Sequence, residues 1–473
     1  MSNLQKAYSP NLISQKGHLL IDLIAHQLSK SGADNNASIN YSTPEQQYQF
    51  WKDYLMDQSA NQELPFFQEV INRSVNIHSP GYMGHQIAVP LPITMLSSFV
   101  INYLNNGMGV YEMGMTGNSM EKIIIEIIAN KIGYDSNSSG FIVTGGSIGN
   151  LTAILAARAV ISNIWEEGNK NIKYAIMVSE QAHYCVERAA RILGLGKDSI
   201  IKIPVNNLFK ADCGSLEGLY QKAVEEGVRI ICCVGCACTT ATGSYDDLNA
   251  IGDFCKKYNI WFHVDGAHGG AAIFSEKHKH LLEGIEKANS VIIDFHKMMM
   301  TPSLSTALIF KQGSNSYQTF SQKADYLWKD QEDHEWYNSG MRTMECTKSM
   351  SILNIFSIFK FYGEKIFEQN IDYLFDMAKI FYKLLKEDQN FEIPIFPESN
   401  IFCFRYQING IDLNNLNNHI RNAIIEDGEF YLVQTKLNGS VYLRVSLMNP
   451  FTTRSELEKL ISKISLIAKN YKP

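Results

Sequence analysis

The sequence lacks an apolar run of transmembrane length, an extended basic segment and a regular cysteine spacing. Apolar stretches such as KIIIEIIANKIG are interrupted by charged residues, here Glu126 and Lys131, and none approaches the roughly 20 residues needed to cross a bilayer. Residues 1–17 contain no basic segment followed by an apolar one. We therefore expect neither a membrane span nor a signal peptide.

Charge and cysteine content narrow the class of protein further. The net charge is −6 and no long basic run is present, which argues against a nucleic-acid partner. The 9 cysteines in 473 residues show no framework spacing, so reduced thiols fit better than disulfides. We predict a cytoplasmic protein with neither a membrane nor a nucleic-acid partner.

Apolar residues are abundant enough for a large core, since 45% of the chain is hydrophobic and 19% is charged. From GFIVTGG (140–146) to IWFHVDG (260–266), short apolar strands alternate with amphipathic helices, which is typical of a doubly wound α/β sheet. From about residue 345 the pattern becomes helical and then strand-like. This change predicts a smaller C-terminal α+β unit.

Polar clusters follow several of the predicted strands, and a lysine follows another. The clusters are TGGSIGN (144–150), SEQAHY (179–184), CTTATG (238–243) and DGAHGG (265–270), and Lys297 comes shortly after the apolar stretch SVIID. Ligands of open α/β sheets bind at the carboxyl ends of the strands. We therefore expect these loops to converge on one site.

The TGGSIGN cluster suits a phosphate group. Gly145 and Gly146 allow close approach of the backbone, and Ser147 begins a predicted helix whose N-terminus favours an anion. The cluster matches neither the G-x-G-x-x-G fingerprint nor the P-loop. An ordinary glycine-rich turn remains an equally good interpretation of this cluster taken alone.

Asp265 and Lys297 are ionisable residues beside apolar strands, where an unpaired charge is costly. A buried lysine of lowered pKa is a nucleophile toward an aldehyde, and a buried carboxylate can keep a heteroaromatic nitrogen protonated. Together with a phosphate cradle, these are the requirements of pyridoxal phosphate. A structural salt bridge between the two remains an alternative, as does a metal site formed by His263, Asp265 and His268.

A closely spaced cysteine group lies in ICCVGCACTT (231–240). Because the stretch is apolar and lacks a second matching pair, we interpret these cysteines as small buried thiols and predict no metal.

Eight segments in order resemble the group II pyridoxal-phosphate-dependent amino-acid decarboxylases, which include glutamate, diaminobutyrate, aspartate and aromatic-amino-acid decarboxylases. The segments are GYMGHQ, GVYEMG, GFIVTGGSIGNLTAILAAR, AHYCVERAARILGLG, CTTATGSYDDL, WFHVDGAHGG, DFHKMMMTP and VYLRVSLMNPFTT. The resemblance covers roughly residues 78–460, and the joint occurrence of the motifs makes it specific.

The resemblance implies an α/β protein of the type I pyridoxal-phosphate-dependent enzyme fold. Such a fold has a large domain with a mixed, mostly parallel sheet and a smaller C-terminal α+β domain. We place an N-terminal helical segment at 1–75, the cofactor-binding domain at 76–350 and the small domain at 351–473. The resemblance also implies a homodimer, with the N-terminal segment at its interface and the active sites between subunits.

The resemblance assigns the residues around the ring of pyridoxal 5'-phosphate. Lys297 matches the lysine that holds the cofactor covalently, and Asp265 matches the partner of the pyridine nitrogen. His183 matches the histidine that stacks on one face of the ring, and Ala267 would pack on the other.

The remaining contacts of cofactor and substrate follow from the same resemblance. Gly146, Ser147 and His296 match phosphate-binding residues, and Thr240 matches a threonine near the phenolic oxygen. Arg444 matches an arginine that binds the substrate α-carboxylate, a group that the guanidinium fork fits bidentately.

Two departures from the family pattern concern the same site. Several members have Asn-Pro-His-Lys where this chain has DFHK, so Asp294 places an anion beside the expected phosphate unless it is protonated, turned away or paired. The family also has a loop tyrosine that protonates the carbanion after CO₂ leaves. No tyrosine aligns cleanly here, and Tyr326 and Tyr337 are the candidates.

The expected reaction is α-decarboxylation of an L-amino acid, giving the amine and CO₂. The motifs GVYEMG and YLRVSLMNP are closer to the glutamate and diaminobutyrate branches than to the aromatic branch, so glutamate, aspartate or 2,4-diaminobutyrate is the expected substrate. His85, Gln86 and Tyr111 would surround its side chain. Transamination, oxidative deamination to an aldehyde, and a non-catalytic binding role remain alternatives.

Overall fold

The computed structural model describes residues 7–31, 37–57, 62–320 and 335–472. A π-helical turn at Leu12–Gly17 precedes the first α-helix. The α-helices are α1 (His18–Ser31), α2 (Pro44–Met56), α3 (Glu63–Arg73), α4 (Pro92–Leu104), α5 (Tyr111–Ile132), α6 (Gly146–Ile161), α7 (Ile164–Glu167), α8 (Cys185–Ile192), α9 (Leu216–Glu225), α10 (Leu248–Tyr258), α11 (Ser314–Thr319), α12 (Ile352–Tyr362), α13 (Lys365–Lys386), α14 (Leu413–Asp427) and α15 (Arg454–Lys469). The strands are β1 (Ser139–Val143), β2 (Lys173–Ser179), β3 (Ile200–Ile203), β4 (Val228–Cys236), β5 (Trp261–Asp265), β6 (Ser290–Asp294), β7 (Thr306–Phe310), β8 (Phe391–Glu392), β9 (Ile401–Tyr406), β10 (Val433–Leu437) and β11 (Ser440–Ser446).

The larger of two compact units comprises residues 86–378 and 395–402. Its seven-stranded sheet has the order β1-β7-β6-β5-β4-β2-β3. Neighbouring strands from β3 to β6 are parallel, whereas β7 is antiparallel to both β1 and β6. The carboxyl ends of β1, β2, β4, β5 and β6 therefore meet at one edge, as the sequence predicts for its polar clusters.

The central strands read as continuous apolar runs because both faces of the sheet are covered. All five residues of β5 and of β6 are buried. Helix α6 packs on the sheet through small residues, and Ala153, Ala156 and Ala157 are fully buried there. This close packing fixes the N-terminus of α6 at the same edge as the strand ends.

The smaller unit comprises residues 379–394 and 403–473 together with the first 85 residues. Its sheet has the order β10-β11-β9-β8, in which β10 pairs antiparallel with β11 and β8 with β9. The N-terminal part is attached by backbone hydrogen bonds from Met83 N to Tyr431 O (2.9 Å) and from Ser446 N to Met83 O (2.8 Å).

The predicted fold class is confirmed by a mostly parallel mixed sheet and a separate antiparallel one. The antiparallel insertion of β7 was not expected from the strand–helix alternation. The domain boundaries at 75 and 350 stay a prediction. Within the described ranges, no helix has the length and hydropathy required of a membrane span.

The loop after β4 is fastened by a buried carboxylate. Asp246 is 3% exposed and accepts hydrogen bonds from the backbone N–H groups of Ala211 (2.7 Å) and Cys236 (2.8 Å). Burial raises the pKa of Asp246 to about 6, against the opposing effect of these bonds. The loop that Asp246 closes carries Thr239 and Thr240 to the carboxyl edge of the sheet.

Asp246→Ala is expected to lower the free energy of unfolding by about 3 kcal/mol, because it leaves two buried N–H groups without an acceptor. Asp253→Ala is the control, since Asp253 is exposed and pairs with Lys287 at the surface. That variant should lose less than about 1 kcal/mol. Urea unfolding of both variants measures the difference, and equal losses would contradict this account of the loop.

Candidate active site

A cavity of about 240 Å³ opens at the carboxyl edge of the large sheet. Loops after β1, β2, β4, β5 and β6 all contribute to its wall. The eight residues expected to bind the cofactor line it, namely Gly146, Ser147, His183, Thr240, Asp265, Ala267, His296 and Lys297. The loops therefore converge on one cavity, as expected, whereas the role of each residue stays a prediction.

The N-terminus of α6 forms one end of the cavity. Gly145 has φ +111° and ψ 157°, a conformation that side-chain-bearing residues rarely adopt. A Cβ atom added to Gly146 would lie 3.3 Å from both carboxylate oxygens of Asp294 and 3.4 Å from Cβ of Ala267. The first intrahelical bond is Ile148 N to Gly145 O (3.1 Å), and no acceptor among the described residues takes the N–H groups of Gly146 and Ser147, which are therefore suited to an anion.

Lys297 forms an ion pair with Asp294, at 3.0 Å from Nζ to Oδ2. Burial alone would lower the pKa of Lys297, but the charge and hydrogen bond of Asp294, with a contribution from Asp265, raise it overall. In this arrangement Lys297 is thus the ion-pair partner of Asp294. Asp294 is 1% exposed and also accepts a hydrogen bond from Thr306 Oγ1 (2.5 Å).

Asp265 is held by hydrogen bonds rather than by a basic side chain. Its Oδ2 accepts from Asn150 Nδ2 (2.9 Å) and its Oδ1 from Ala267 N (3.2 Å). Among the described residues, no lysine or arginine forms an ion pair with this carboxylate, which is 8% exposed. The predicted alternative of a salt bridge between Asp265 and Lys297 is therefore wrong, because Lys297 pairs with Asp294.

The three residues of the alternative metal site have separate partners. His263 contacts Asn150 Oδ1 through Nε2 (2.7 Å) and Ser290 Oγ through Nδ1 (2.9 Å). His268 contacts Asn400 Oδ1 through Nε2 (2.7 Å). No group of three potential ligands in the described part of the chain could hold a metal ion.

His183 enters the cavity from the loop before α8. Burial lowers the pKa of its ring, and the charges of Lys297 and Arg188 add to this effect, while Asp265 and Asp294 oppose it. The backbone N–H of Cys185 donates to Nδ1 of His183 (3.4 Å). A neutral ring with its proton on Nε2 satisfies both observations.

The family model described as "Pyridoxal-dependent decarboxylase conserved domain" matches residues 92–407. An L-aspartate decarboxylase of Metarhizium robertsii is 31% identical over 351 residues, which cover 73% of this chain and 70% of the relative. An L-2,4-diaminobutyrate decarboxylase of Acinetobacter baumannii is 26% identical over 440 residues, covering 88% and 85%.

The chain belongs to the pyridoxal-dependent decarboxylase family.

A crystal structure of the glutamate decarboxylase domain of a Vibrio parahaemolyticus diaminobutyrate-pyruvate transaminase and L-2,4-diaminobutyrate decarboxylase has the same fold. Its TM-score is 0.83 at 24% identity, and the match covers 96% of both chains. The protein is thus a carboxy-lyase that uses pyridoxal phosphate.

The cavity of this decarboxylase fits that cofactor on three observations. The N-terminus of α6 provides free N–H groups for a phosphate, and Asp265 is a buried carboxylate without a basic partner among the described residues. Gln86 also lines the cavity, and its Nε2 has no hydrogen-bond partner within the described ranges. A phosphorylated, cationic heterocycle with a phenolic oxygen complements all three groups.

Asn150 is among the residues of the cavity wall that were not predicted from the sequence. Asn150 ends the motif TGGSIGN, one helical turn after the glycine pair, and this position could have indicated that its side chain reaches the cavity. The motif was interpreted only as a phosphate-binding turn. His296 lies at the wall as expected, with Nδ1 at 3.0 Å from Ser305 O and Nε2 at 3.7 Å from Asp294 Oδ2.

The remaining predicted residues lie elsewhere in the decarboxylase. Arg444 is on β11 in the smaller unit, 8% exposed, and its Nη2 donates to Ser446 Oγ (3.1 Å). Tyr337 packs edge-on against Tyr111 at 5.4 Å between ring centroids. Tyr326 lies outside the described residues.

His263 makes the stability of the decarboxylase depend on pH. Burial lowers the pKa of His263 to about 4 from its ordinary 6.5. Because the pKa of His263 is lower in the folded than in the unfolded state, the folded state binds fewer protons between pH 6.5 and pH 4. The stability that this difference contributes is therefore fully present above pH 6.5 and is lost as the pH falls toward 4. The full loss amounts to about 3 kcal/mol.

His263→Gln is expected to remove this part of the pH dependence, whatever it does to stability at pH 7. Unfolding free energies of the cofactor-free wild type and variant, measured at pH 7 and pH 4.5, give the two slopes. Identical slopes would show that His263 does not titrate in this range.

Proposed function

We propose that the protein decarboxylates a small L-amino acid with an acidic side chain, L-aspartate first, and releases CO₂. The observation that carries the proposal is a cavity in which Lys297 and the hydrogen-bonded Asp265 face the N-terminus of α6. Pyridoxal phosphate, when bound, supplies an electron sink for the pair of electrons that departing CO₂ leaves behind.

In this proposal the large unit orients the cofactor. Lys297 would hold the cofactor at its aldehyde carbon, and Asp265 would keep a proton on the ring nitrogen by its negative charge. The N–H groups at the start of α6 bind the phosphate with Ser147 and His296. His183, as a neutral imidazole, would cover one face of the ring and Ala267 the other, and Thr240 would contact the phenolic oxygen.

Asp294 is proposed to balance the charge of Lys297 before the cofactor binds. Its carboxylate lies beside the helix N-terminus, where a negative charge is stabilised, and it is paired with Lys297 and Thr306. An anion is acceptable beside a phosphate if it is protonated, turned away or paired, and Asp294 is paired. Asp294 is thus given a role in the free site rather than in phosphate binding.

Arg444 is proposed to bind the substrate α-carboxylate, and the acid that protonates the carbanion to be Tyr326 or Tyr337. The surroundings of His85 favour an acidic substrate side chain. Burial lowers the pKa of His85 first, and the charges of Arg444 and Arg421 lower it further. Arg421 Nε has no hydrogen-bond partner among the described residues. Two arginines suit a substrate with two carboxylates better than one with a side-chain ammonium.

A homodimer and a cytoplasmic location are also part of the proposal. Helix α4 exposes a row of apolar side chains that a second copy would cover, including Leu96, Phe99, Val100 and Tyr103, which is 86% exposed. All nine cysteines are free thiols, which agrees with a reducing compartment.

Lys297→Ala is expected to abolish CO₂ release, by about a thousandfold or more, together with the visible absorption of the bound cofactor. Lys287→Ala is the control, since that side chain pairs with Asp253 at the surface. Turnover and absorption spectra of both purified proteins provide the measurement. A Lys297→Ala protein that kept both properties would refute the assignment.

L-Aspartate is expected to exceed L-2,4-diaminobutyrate in kcat/KM, and Arg421→Gln to reduce that ratio by about tenfold, the effect of losing one charged contact. Arg454→Gln is the control, because Arg454 is exposed and pairs with Glu458. Products are measured as amine and CO₂, whereas aldehyde with ammonia, or a keto acid, would identify the alternative reactions. A preference for the diamino acid, or a ratio unaffected by Arg421→Gln, would contradict the proposed substrate class.

A further inference from the structure

Four buried polar side chains form a continuous chain of hydrogen bonds that ends at Asp265. Trp261 Nε1 donates to Ser290 Oγ (2.9 Å), which lies 2.9 Å from His263 Nδ1. His263 Nε2 lies 2.7 Å from Asn150 Oδ1, and Asn150 Nδ2 donates to Asp265 Oδ2 (2.9 Å). None of the four side chains before Asp265 is more than 2% exposed.

The two ends of this chain fix the same direction for every hydrogen bond. Asp265 only accepts when ionised, so Asn150 must turn its NH₂ toward the carboxylate and its oxygen toward His263. The Nε2 atom of His263 must then carry the proton, and its Nδ1 accepts from the hydroxyl of Ser290.

At the other end, the indole N–H of Trp261 can only donate, so Ser290 accepts there and has its own hydrogen free for His263. Strand register explains the proximity, because His263 and Ser290 are direct partners in the β5–β6 pairing. In this arrangement every hydrogen bond from Trp261 to Asp265 has one donor and one acceptor, and His263 stays neutral.

Rotation of the Asn150 amide is opposed by a second contact. Asn150 Nδ2 also donates to Cys185 Sγ (3.1 Å). A rotated amide would lose both donor contacts and place its oxygen against the Asp265 carboxylate. Burial lowers the pKa of His263 to about 4, so the direction of donation is not expected to change in the neutral range.

We propose that this directional relay orients the Asp265 carboxylate toward the cofactor ring, which makes its four members positioning residues: Trp261, Ser290, His263 and Asn150. The proposal rests on the role of Asp265 given above. It explains why a tryptophan, a serine and a histidine are buried in strands β5 and β6, where a purely apolar core would need none of their polar atoms.

Ser290→Ala tests the relay at a residue that does not line the cavity. Without the hydroxyl, Nδ1 of His263 can donate to the backbone oxygen of Ser290, 3.2 Å away, and Nε2 then loses its proton. We expect the dissociation constant of pyridoxal phosphate from the apoprotein to rise about tenfold, the effect of weakening one charge-assisted hydrogen bond. The pH at which the bound cofactor changes its absorption should shift in the same direction as in Asp265→Asn.

The matched control is Ser316→Ala, which removes a buried hydroxyl that donates to Gly313 O in its own turn (2.7 Å). Ser316→Ala should leave the dissociation constant of pyridoxal phosphate and the pH of the spectral change at their wild-type values. Asn150→Ala should weaken cofactor binding more than Ser290→Ala, and Trp261→Phe less, because Ser290 can still donate to His263. This order differs from the order of side-chain volume removed, in which Trp261→Phe exceeds Ser290→Ala.

Binding titrations of the apoprotein and spectral pH titrations separate the possible results. If Ser290→Ala retains the wild-type dissociation constant and spectral titration while Asp265→Asn changes both, the relay is wrong and the role of Asp265 stands. If Asp265→Asn changes neither, the role of Asp265 fails and the relay fails with it. Should Asn150→Ala not fold, Ser290→Ala against its control decides alone.

Discussion

The site depends on a charge imbalance in a buried cavity. Two carboxylates, Asp265 and Asp294, are almost inaccessible, and both line the cavity together with one lysine, Lys297. Lys297 pairs with Asp294 at 3.0 Å, whereas the hydrogen bonds that Asp265 accepts within the described residues come from Asn150 and from the backbone N–H of Ala267. A buried charge without a counter-ion is costly, and in the proposed function the cationic ring nitrogen of the cofactor would supply that counter-ion to Asp265.

The sheet topology creates this arrangement. Asp265 and Asp294 are the last residues of the neighbouring parallel strands β5 and β6, so both carboxylates reach the same edge. The following loop returns Lys297 to that edge, and α6 brings its N-terminus alongside. Each part has a simple cause in the sequence, namely buried apolar strands, a glycine pair before a helix, and small residues where the helix meets the sheet.

Much of this could be predicted from the sequence, because loops after parallel strands must converge. The eight cofactor residues were expected at one cavity for that reason and because the motifs resemble a known family, and all eight line it. The partner of Lys297 was not predicted, since a distance between side chains of one loop depends on its backbone path. The contacts of Asn150 and His263 were also missed, because they join separate segments of the chain and follow no sequence period. A mixed sheet was expected from the resemblance, but not that β7 is its antiparallel strand, since the apolar sequence of β7 carries no sign of direction.

The central claim is that the charge of Asp265 keeps a proton on the ring nitrogen of the bound cofactor. It is tested most directly by ¹⁵N NMR of holoenzyme reconstituted with cofactor labelled at that nitrogen. The account predicts a protonated nitrogen throughout the neutral range in the wild type and loss of that proton in Asp265→Asn. An unprotonated nitrogen in the wild type, or the same chemical shift in both proteins, would contradict it.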